Sequence, residues 1–489
     1  MIRTRIAPSP TGSLHLGTAR SALYNYIFAK QNNGKFVLRI EDTDNTRSTK
    51  FFENDIIDGL RWLGLDFDIG PEKEDEFGPY HQMQRLDIYQ KYIDKLIDEG
   101  KAYYAYETAD EIDELRKQAG EKKQPFIYRQ INYTQEQLQQ FESEGRKPVV
   151  RFKVEPKSLI FNDLVKGEIS FDMSGFSDFV IMKSDGIPTF YMANVVDDYL
   201  MGITHILRGE DHIPNTPKQI LLYEALGMQP PEFTHLPMLL NTNKSKISKR
   251  DTDNELVTIS SFRQQGFLPE ALVNFIALLG WHPSSDVEFF SMQELLDNFT
   301  IERINSSNAV YDYHRALRFN SEYIRSMSDD EFVDRLICFL ENYGDQERKE
   351  ILQTNKDKDY WLKLAPYIKV RIQTLGQFRD FAKYFFKPQM PTDEIIYNEK
   401  MKVDKKLVQD MLPKLLDLLY SIDEDNWTEG VLKEALINFV KQEGLKNGQV
   451  LWPIRSILTG VQASPGAFEM LYVLGKQESI SRLKLFRET

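Results

Sequence analysis

The stretch PSPTGSLHLG, residues 8–17, decides the fold of this chain. A short β-like run, residues 2–7, precedes it, and a helix-like run, residues 19–30, follows it. A strand that turns through Pro and Gly into a helix directs backbone N–H groups and a helix N-terminus at one place, which favours a bound anion. The turn also carries His15, two residues before Gly17. The stretch therefore predicts an α/β domain that holds phosphate at this turn.

A second segment, KISKR at residues 246–250, places three cations within five residues. It follows another β-like run, residues 235–240. A charge run is usually a solvated surface loop, but this one comes directly after a strand of the same α/β pattern. The turn and the basic loop together have what is needed to hold a nucleoside triphosphate from two sides.

Composition narrows the class of protein. The net charge of −13 argues against general affinity for nucleic acid, yet the first fifty residues hold eight Lys or Arg against three acidic residues. No run approaches the ~18–20 apolar residues of a membrane span, and no signal peptide is visible. The single cysteine, Cys338, excludes an intramolecular disulfide and argues against a cysteine-based zinc site. We expect a buried, inert thiol and a cytoplasmic protein.

The order of elements predicts the architecture. Strand and helix signals alternate in residues 1–100 and resume in residues 191–250, as in a Rossmann-type parallel sheet with right-handed crossovers. Residues 101–190 combine a charged helical stretch with short β runs, which indicates an inserted α+β domain. After residue 250 the i, i+3, i+4 spacing predicts helices to the end, divided into a connecting region, 251–325, and a helical domain, 326–489.

Several motifs resemble those of one family. In chain order they are RIAPSPTG with HLG (5–12 and 15–17), RIEDTD (39–44), VVDD (195–198), ILRGEDH (206–212) and KISKR (246–250). In this combination the chain resembles a bacterial-type glutamyl-tRNA synthetase, a class I aminoacyl-tRNA synthetase, over nearly its whole length. The resemblance implies a catalytic domain split between residues 1–100 and 191–250. Residues 101–190 would bind the tRNA acceptor stem, 251–325 would contact the stem, and 326–489 would bind the anticodon.

The activity implied by the resemblance has two steps. L-Glutamate and ATP would give glutamyl-adenylate, and the acyl group would pass to the 3′ end of a glutamate-accepting tRNA. Whether a glutamine-accepting tRNA is also charged stays open. Mg²⁺ would be held mainly by the ATP phosphates, because it retains waters. Some relatives carry zinc in the insertion, but residues 103–107 contain no cysteine. We therefore expect no zinc, aromatic packing in its place, no other protein-held metal, no membrane and a monomer.

The resemblance also implies how glutamate would be bound. Arg5 and Arg208 would meet its two carboxylates, with Arg5 at the side-chain carboxylate, and Glu41 would meet the ammonium. Guanidinium groups suit carboxylates because they form bidentate pairs. Ala7, Ser9 and Asn194 would line this pocket. Phe190 stands where a tyrosine is expected and Tyr191 is next to it, so either the register shifts or one hydroxyl is lost.

For ATP, the resemblance implies that His15 donates to a phosphate and that Gly17 lets the nucleotide approach the backbone. Lys246 and Lys249 would neutralise pyrophosphate as it leaves, and these two lysines and His15 are the candidate catalytic residues. Thr18 stands where the family often has a second histidine. His212 would lie against the base or ribose. The remaining candidate ATP-binding residues are Pro8, Gly12 and Ser248.

Three alternatives remain at this point. A close relative that glutamylates a modified tRNA nucleoside would look like the catalytic half alone. A glutaminyl enzyme would end in β-barrels. An RNA-binding protein without catalysis would have lost the two signatures. His205, His235 and His282 have no motif around them, and we expect them to be packed or surface histidines.

Overall fold

Residues 1–44, 46–245, 256–344, 346–354 and 356–488 are described by a computed structural model. The chain forms two compact units. The first unit comprises Met1–Phe262 and Pro269–Tyr313, and the second comprises Arg263–Leu268 and His314–Thr489. None of the described helices is long and apolar enough to cross a membrane.

The first unit contains all the strands of the described chain. They are β1 (Arg3–Ile6), β2 (Lys35–Leu38), β3 (Ala102–Ala105), β4 (Val149–Phe152), β5 (Ser158–Asp163), β6 (Gly167–Asp172), β7 (Phe179–Met182), β8 (His205–Gly209), β9 (Glu232–Leu236), β10 (Leu239–Leu240) and β11 (Ala309–Val310).

The helices occupy both units. They are α1 (Leu16–Gln31), α2 (Lys50–Trp62), α3 (Leu86–Asp98), α4 (Ala109–Glu121), α5 (Gln135–Ser143), α6 (Phe190–Leu200), α7 (Thr216–Leu226), α8 (Ile259–Gln264), α9 (Pro269–Ala277), α10 (Met292–Asn298), α11 (Tyr313–Ser326), α12 (Asp329–Tyr343), α13 (Gln346–Leu352), α14 (Lys358–Lys369), α15 (Phe378–Phe386), α16 (Asp393–Ile396), α17 (Lys405–Ser421), α18 (Glu429–Gln442), α19 (Asn447–Thr459) and α20 (Ala467–Glu488).

Two parallel pairs of strands form the frame of the first unit. β1 pairs with β2 and β8 pairs with β9, each through a connecting helix, α1 or α7. The two pairs adjoin at β1 and β8, since the Thr204 N–H donates to the Arg3 carbonyl at 2.9 Å. Parallel strands joined by crossover helices are buried on both faces, and most residues of these four strands are buried, including polar ones such as Arg5, Arg208 and His235. The predicted α/β fold with a parallel sheet, followed by a helical C-terminal region, is confirmed.

The segment predicted to be an insertion contributes to two sheets. β3, β4 and β7 form an antiparallel sheet of their own. The β5–β6 hairpin instead extends the β8–β9 pair, because β5 runs parallel to β9 and Asp163 is the register partner of Phe233. The resulting strand order is β6, β5, β9, β8. In this order Asp163, a residue of the inserted segment, lies beside β9, and the next strand is β8, which carries part of the ILRGEDH motif.

The second unit is helical throughout its described part. Its C-terminal helical segment, α20, is kinked at Gly475 and packs against α14, α17, α18 and α19. Arg482 of α20 is buried, and its Nη1 donates to the carbonyls of Tyr384 and Leu458 at 2.6 and 2.8 Å. A buried guanidinium that satisfies free carbonyl groups ties neighbouring helices to α20.

One prediction about the second unit is wrong. Cys338 lies on α12 and is exposed, although its neighbours Phe339 and Leu340 are buried. The apolar run around the cysteine made it look like a core position. The buried face of α12 is formed instead by Phe332, Val333, Leu336, Phe339 and Leu340. In a helix of 3.6 residues per turn, position 338 falls outside that face.

Candidate active site

A cavity of about 490 Å³ lies where β1 and β8 end and α1 begins. It is partly open to solvent. Its lining includes twelve of the site residues predicted from the sequence: Arg5, Ala7, Pro8, Ser9, His15, Gly17, Thr18, Glu41, Phe190, Asn194, Arg208 and His212. Ligands of open α/β sheets bind beyond the carboxyl ends of the strands, so the position of the cavity fits the fold.

Two of the predicted residues do not line the cavity, and three lie outside the described residues. Gly12 and Tyr191 are not among the lining residues. Phe190 lines the cavity, while the Tyr191 hydroxyl accepts from Lys218 Nζ at 3.1 Å. The hydroxyl expected at this place in the pocket is thus absent from it. Lys246, Ser248 and Lys249 fall in the segment 246–255, which the structure does not describe.

The signature turn places His15 as the N-cap of α1. Its Nδ1 accepts a hydrogen bond from the Gly17 N–H at 3.2 Å, which satisfies one of the free donors of the first turn. The Leu16 N–H donates to the Val257 carbonyl at 2.8 Å. Residues just after the segment 246–255 therefore lie beside the turn, and Leu239, shortly before it, lines the cavity.

Arg5 is held in place by a buried carboxylate. Its Nε and Nη2 donate to the two oxygens of Asp198, each at 3.2 Å. The same carboxylate accepts from Arg39 Nη1 at 2.6 Å. Burial alone would raise the pKa of Asp198, but Arg39 and Arg5 outweigh it and hold that pKa below its usual range. Asp198 is therefore ionised at neutral pH and fixes both guanidinium groups.

Arg39, Asp197 and Asp198 were missed as functional residues in the sequence. Arg39 is fully buried and reaches Glu41, Asn194 and Asp198. Asp197 accepts from Arg85 Nε at 2.7 Å. The signal was present in the sequence: two adjacent carboxylates interrupt the apolar run of α6. Carboxylates in a buried segment require cationic partners, and Arg39 and Arg85 supply them.

Glu41 and Asn194 both line the cavity and contact each other. The Glu41 Oε1 accepts from Asn194 Nδ2 at 2.8 Å and from Arg39 Nη2 at 3.2 Å. Burial raises the pKa of Glu41, against the influence of Arg39. A cation entering the cavity beside this carboxylate would be stabilised by it and would favour its ionised form.

Arg208 is a buried cation whose protein partners are neutral. Its Nη2 donates to Thr216 Oγ1 at 2.8 Å and to Gln219 Oε1 at 2.7 Å. Its Nη1 is buried and has no hydrogen-bond partner within the described residues. Burial, and then the charge of Arg5, lower the pKa of Arg208 to about 9, so the group is still protonated at pH 7. A buried guanidinium without a carboxylate is costly, and an anion in the cavity would relieve that cost.

His212 and Phe190 also line the cavity, and their rings pack against each other. Their ring centroids are 5.4 Å apart, and Asn215 Nδ2 lies 3.2 Å from His212 Nδ1. Burial, and then the nearby Arg208, lower the pKa of His212 to about 4. The imidazole is neutral at pH 7 and offers a flat, uncharged face. Among the described residues, no three His, Cys, Asp or Glu side chains are grouped so that they could hold a metal ion.

The parallel sheet and the cavity beyond the carboxyl ends of its strands define a broad class, the α/β proteins that bind a ligand at that edge of the sheet. Residues 1–317 match the family described as "tRNA synthetases class I (E and Q), catalytic domain", and residues 331–487 match "Anticodon binding domain". The chain belongs to the class I tRNA synthetases of this glutamate and glutamine family.

Relatives are similar over the full length. The chain is 40% identical to glutamate–tRNA ligase 1 of Caldanaerobacter subterraneus subsp. tengcongensis, covering 99% of this chain and 97% of that protein. It is also 40% identical to the glutamate–tRNA ligase of Carboxydothermus hydrogenoformans, with 99% of both chains covered. A crystal structure of the glutamate tRNA ligase of Elizabethkingia meningosepticum in complex with its amino acid matches with a TM-score of 0.87 and 31% identity, covering 100% of this chain and 99% of the other.

Proposed function

We propose that this cavity activates L-glutamate with ATP and that the enzyme transfers the glutamyl group to the 3′ end of tRNA. The α-carboxylate of glutamate attacks the α-phosphorus, pyrophosphate leaves, and the terminal ribose of tRNA then takes the acyl group. Such transfers depend on positioning and on stabilisation of phosphate charge, and they need no protein nucleophile. The observation that carries the proposal is Arg208, a buried cation with only neutral partners on the wall of the cavity.

Glutamate fits the charges of the inner part of the cavity. Arg5 and Arg208 hold its two carboxylates, with Arg5 at the side-chain carboxylate, and Glu41 holds the ammonium. Asn194 orients Glu41, since its amide donates to that carboxylate. Ala7, Ser9 and Phe190 fill the space between these groups, and Tyr191 supports Phe190 from outside the cavity.

Discrimination against glutamine follows from the same charges. A site built for a carboxylate rejects the neutral amide strongly, because a buried guanidinium is left without its counter-charge. In this proposal the loss falls on Arg5, which faces the side-chain carboxylate that glutamine lacks and which shares its one protein carboxylate, Asp198, with Arg39.

ATP occupies the outer part of the cavity in this proposal. His15 and the N-terminus of α1 face its phosphates, Gly17 and Pro8 allow close approach, and Thr18 offers a hydroxyl. His212 presents its neutral ring to the nucleoside. Lys246, Ser248 and Lys249 keep their proposed role at the pyrophosphate, and Gly12 shapes the turn. Mg²⁺ is brought by the ATP phosphates and supplies charge neutralisation there.

tRNA binding involves both units, each through its own elements. The insertion, residues 101–190, binds the acceptor end, and residues 251–325 contact the stem. In the insertion, Tyr106 stacks on Phe141 with centroids 5.2 Å apart, and Tyr128 and Tyr133 both donate to Glu107. This aromatic cluster supports our expectation that the insertion contains no zinc.

The anticodon is bound by residues 326–489 in this proposal. Arg455 lies over the Trp452 ring at 4.5 Å, beside a cavity of about 300 Å³ in the second unit. Flat faces of this kind suit single-stranded bases. Trp427 is different, since it is buried and donates to the Leu471 carbonyl at 2.8 Å, which makes it a core residue.

The alternatives are weakened by the second unit. No strand follows β11 in the described part of the chain, whereas a glutaminyl enzyme would end in β-barrels. The match to an anticodon-binding domain over residues 331–487 goes against an enzyme with only the catalytic half. We expect a monomer that works in the cytoplasm, where tRNA is charged.

The test is glutamate-dependent exchange of pyrophosphate into ATP, measured with and without tRNA. We expect exchange with glutamate and none with glutamine, and charging of purified glutamate tRNA. Exchange absent under both conditions would overturn the proposal and favour the binding protein. Charging of purified glutamine tRNA in the same assay would decide whether the enzyme accepts that tRNA as well.

Arg208→Gln tests the pocket directly. The change removes the cation proposed to bind the α-carboxylate of glutamate, a cation that is paired with no protein carboxylate. We therefore expect the KM for glutamate to rise about a hundredfold, with the KM for ATP changed much less. Arg151→Gln, on β4 in the insertion, is the matched control, because its guanidinium lies over the Tyr128 ring outside the cavity. Equal KM values for glutamate in the two variants would contradict the assignment.

A further inference from the structure

His235 is a buried histidine that touches Arg208. The side chain is fully buried on β9, and Arg208 is its register partner on β8. Arg208 Nε donates to His235 Nε2 at 3.2 Å. The Thr216 hydroxyl also lies 3.1 Å from Nε2 and can donate or accept, but a guanidinium has no acceptor to offer, so the contact with Arg208 requires an Nε2 atom without a proton. The ring therefore carries its proton on Nδ1.

Asp163 meets that proton from the next strand. It stands at the end of β5, beside β9, and its Oδ2 lies 2.7 Å from His235 Nδ1. The same Oδ2 accepts from the His235 backbone N–H at 3.0 Å, while Oδ1 accepts from the N–H groups of Val165 and Lys166 at 3.0 and 2.8 Å. Four donors leave the carboxylate one orientation.

The protonation of the pair is consistent with this arrangement. Burial lowers the pKa of His235, so the ring is neutral at pH 7. Burial alone would raise the pKa of Asp163, but the hydrogen bonds from His235 and from the Lys166 and Val165 N–H groups hold that pKa below its usual range. An ionised carboxylate beside a neutral ring fixes the tautomer, and the tautomer fixes the acceptor that faces Arg208.

We propose that Asp163 and His235 are positioning residues that fix the orientation of Arg208 toward the carboxylate of bound glutamate. The inference rests on the proposed function of Arg208. The three residues form a chain across three adjacent strands, β5, β9 and β8. Thr216 and Gln219 hold Nη2 and His235 holds Nε, so that Nη1 is left for the ligand. Neither Asp163 nor His235 lines the cavity.

The first test is Asp163→Asn. With Oδ1 still accepting from Val165 and Lys166, the new amide nitrogen faces His235, favours the other tautomer and turns Nε2 into a donor opposed to Arg208. We expect the KM for glutamate to rise about tenfold or more, with the KM for ATP within about twofold of its original value. Asp178→Asn is the matched control, a buried carboxylate in the antiparallel sheet that accepts from Tyr103 and the Val154 N–H.

The second test compares His235→Gln with His235→Leu. Glutamine can present an amide oxygen near the place of Nε2 and so keep the acceptor for Arg208, whereas leucine cannot. We expect His235→Leu to raise the KM for glutamate, and His235→Gln to have a KM much closer to that of the unaltered enzyme. Equal KM values for glutamate in these two variants would overturn the inference. The same KM for glutamate in Asp163→Asn and in its control, Asp178→Asn, would also overturn it.

A third measurement needs no variant and so tests the inference even if the variants fail to fold. Nitrogen-15 NMR of the unaltered, histidine-labelled enzyme reports the tautomer of His235 directly. A proton on Nδ1 supports the inference, and a proton on Nε2 overturns it. Failure of the proposed function would look different, because the unaltered enzyme would then show no glutamate-dependent exchange at all.

Discussion

Asp198 shows how one residue sets the geometry of a buried site. It binds Arg5 through both oxygens and Arg39 through one. The three side chains are almost fully buried. Charges in such a place are tolerated only when they are paired, and removing one partner leaves the other uncompensated. The position of Arg5 in the pocket therefore depends on a residue that lies behind it.

Asp198→Asn tests this dependence. The change keeps the shape and removes one negative charge between two arginines, so we expect a loss of about 3–5 kcal/mol in unfolding free energy. Asp113→Asn is the control, because Asp113 pairs with Arg116 on the exposed face of α4. Breaking that pair should lower the unfolding free energy by less than about 1 kcal/mol. Calorimetric unfolding of both variants would decide, and a similar loss in each would count against the role of Asp198.

His212 gives the enzyme a pH dependence of known sign. Its pKa is about 4 in the folded chain and 6.5 in the reference state. Between these values the unfolded chain binds more protons, so stability falls as the pH drops through that window. Relative to His212→Gln, we expect the native enzyme to lose on the order of 2 kcal/mol between pH 7 and pH 4. Parallel stability curves for the two proteins would contradict this expectation.

At the scale of elements, the site depends on how closely β1 and β2 approach. Gly34 lies between α1 and β2, and a Cβ there would be 2.3 Å from the Ile2 carbonyl oxygen. That oxygen also accepts from the Lys35 N–H at 2.9 Å. The contact fixes the register in which Arg5 lies opposite Val37. No rearrangement of a flexible side chain can relieve a clash with backbone.

Gly34→Ala should therefore disturb the sheet. We expect a loss of about 1–3 kcal/mol, since the β1 backbone must move to make room. Gly120→Ala, in α4, is the same change where a Cβ meets nothing within 4 Å, and it should be neutral or stabilise the helix by up to about 1 kcal/mol. Thermal unfolding of the pair measures the difference, and equal melting temperatures would argue against a tight β1–β2 contact.

At the scale of the whole molecule, the chain passes between its two units three times. Residues 263–268 belong to the second unit, although the residues before and after them belong to the first. The Leu268 N–H donates to Asn320 Oδ1 at 2.7 Å, and the Leu375 N–H donates to the Gly266 carbonyl at 3.0 Å. Phe267 and Leu268 are 4% and 2% exposed. The boundary between the units is thus not a single point in the sequence.

A fragment of residues 1–313 should show the consequence. It retains the buried Phe267 and Leu268 but lacks residues 314–489, with which their segment forms one unit, so we expect it to bind more of an apolar-surface dye than the full chain does. The same fragment with both residues changed to glutamine should bind less dye than the unchanged fragment. Equal dye fluorescence in the two fragments would show that this segment is covered without residues 314–489.

Much of the fold and part of the site follow from local sequence. The strand, turn and helix around residues 8–17, and the alternation after them, depend on short-range periodicity, and the structure has these elements close to the predicted bounds. The Asp163–His235–Arg208 chain could not be foreseen, because it depends on β5 of the insertion lying beside β9. Residues distant in sequence give no local signal of such a neighbour. The prediction for Cys338 failed because it relied on the apolar residues next to it in the sequence. The side chain itself lies outside the buried face of α12.

The three passages between the units also bear on synthesis. Residues 263–268 leave the ribosome roughly a hundred residues before Leu375 and Gly376, which bond to them. At typical rates of translation, their partners follow roughly 5 to 20 seconds later. Although Asn320 and all the described strands emerge earlier, the N–H donors of Leu375 and Gly376 are missing for that interval from the segment that holds Phe267 and Leu268. Slow elongation in this stretch would lengthen the time during which chaperones or other nascent chains can reach them.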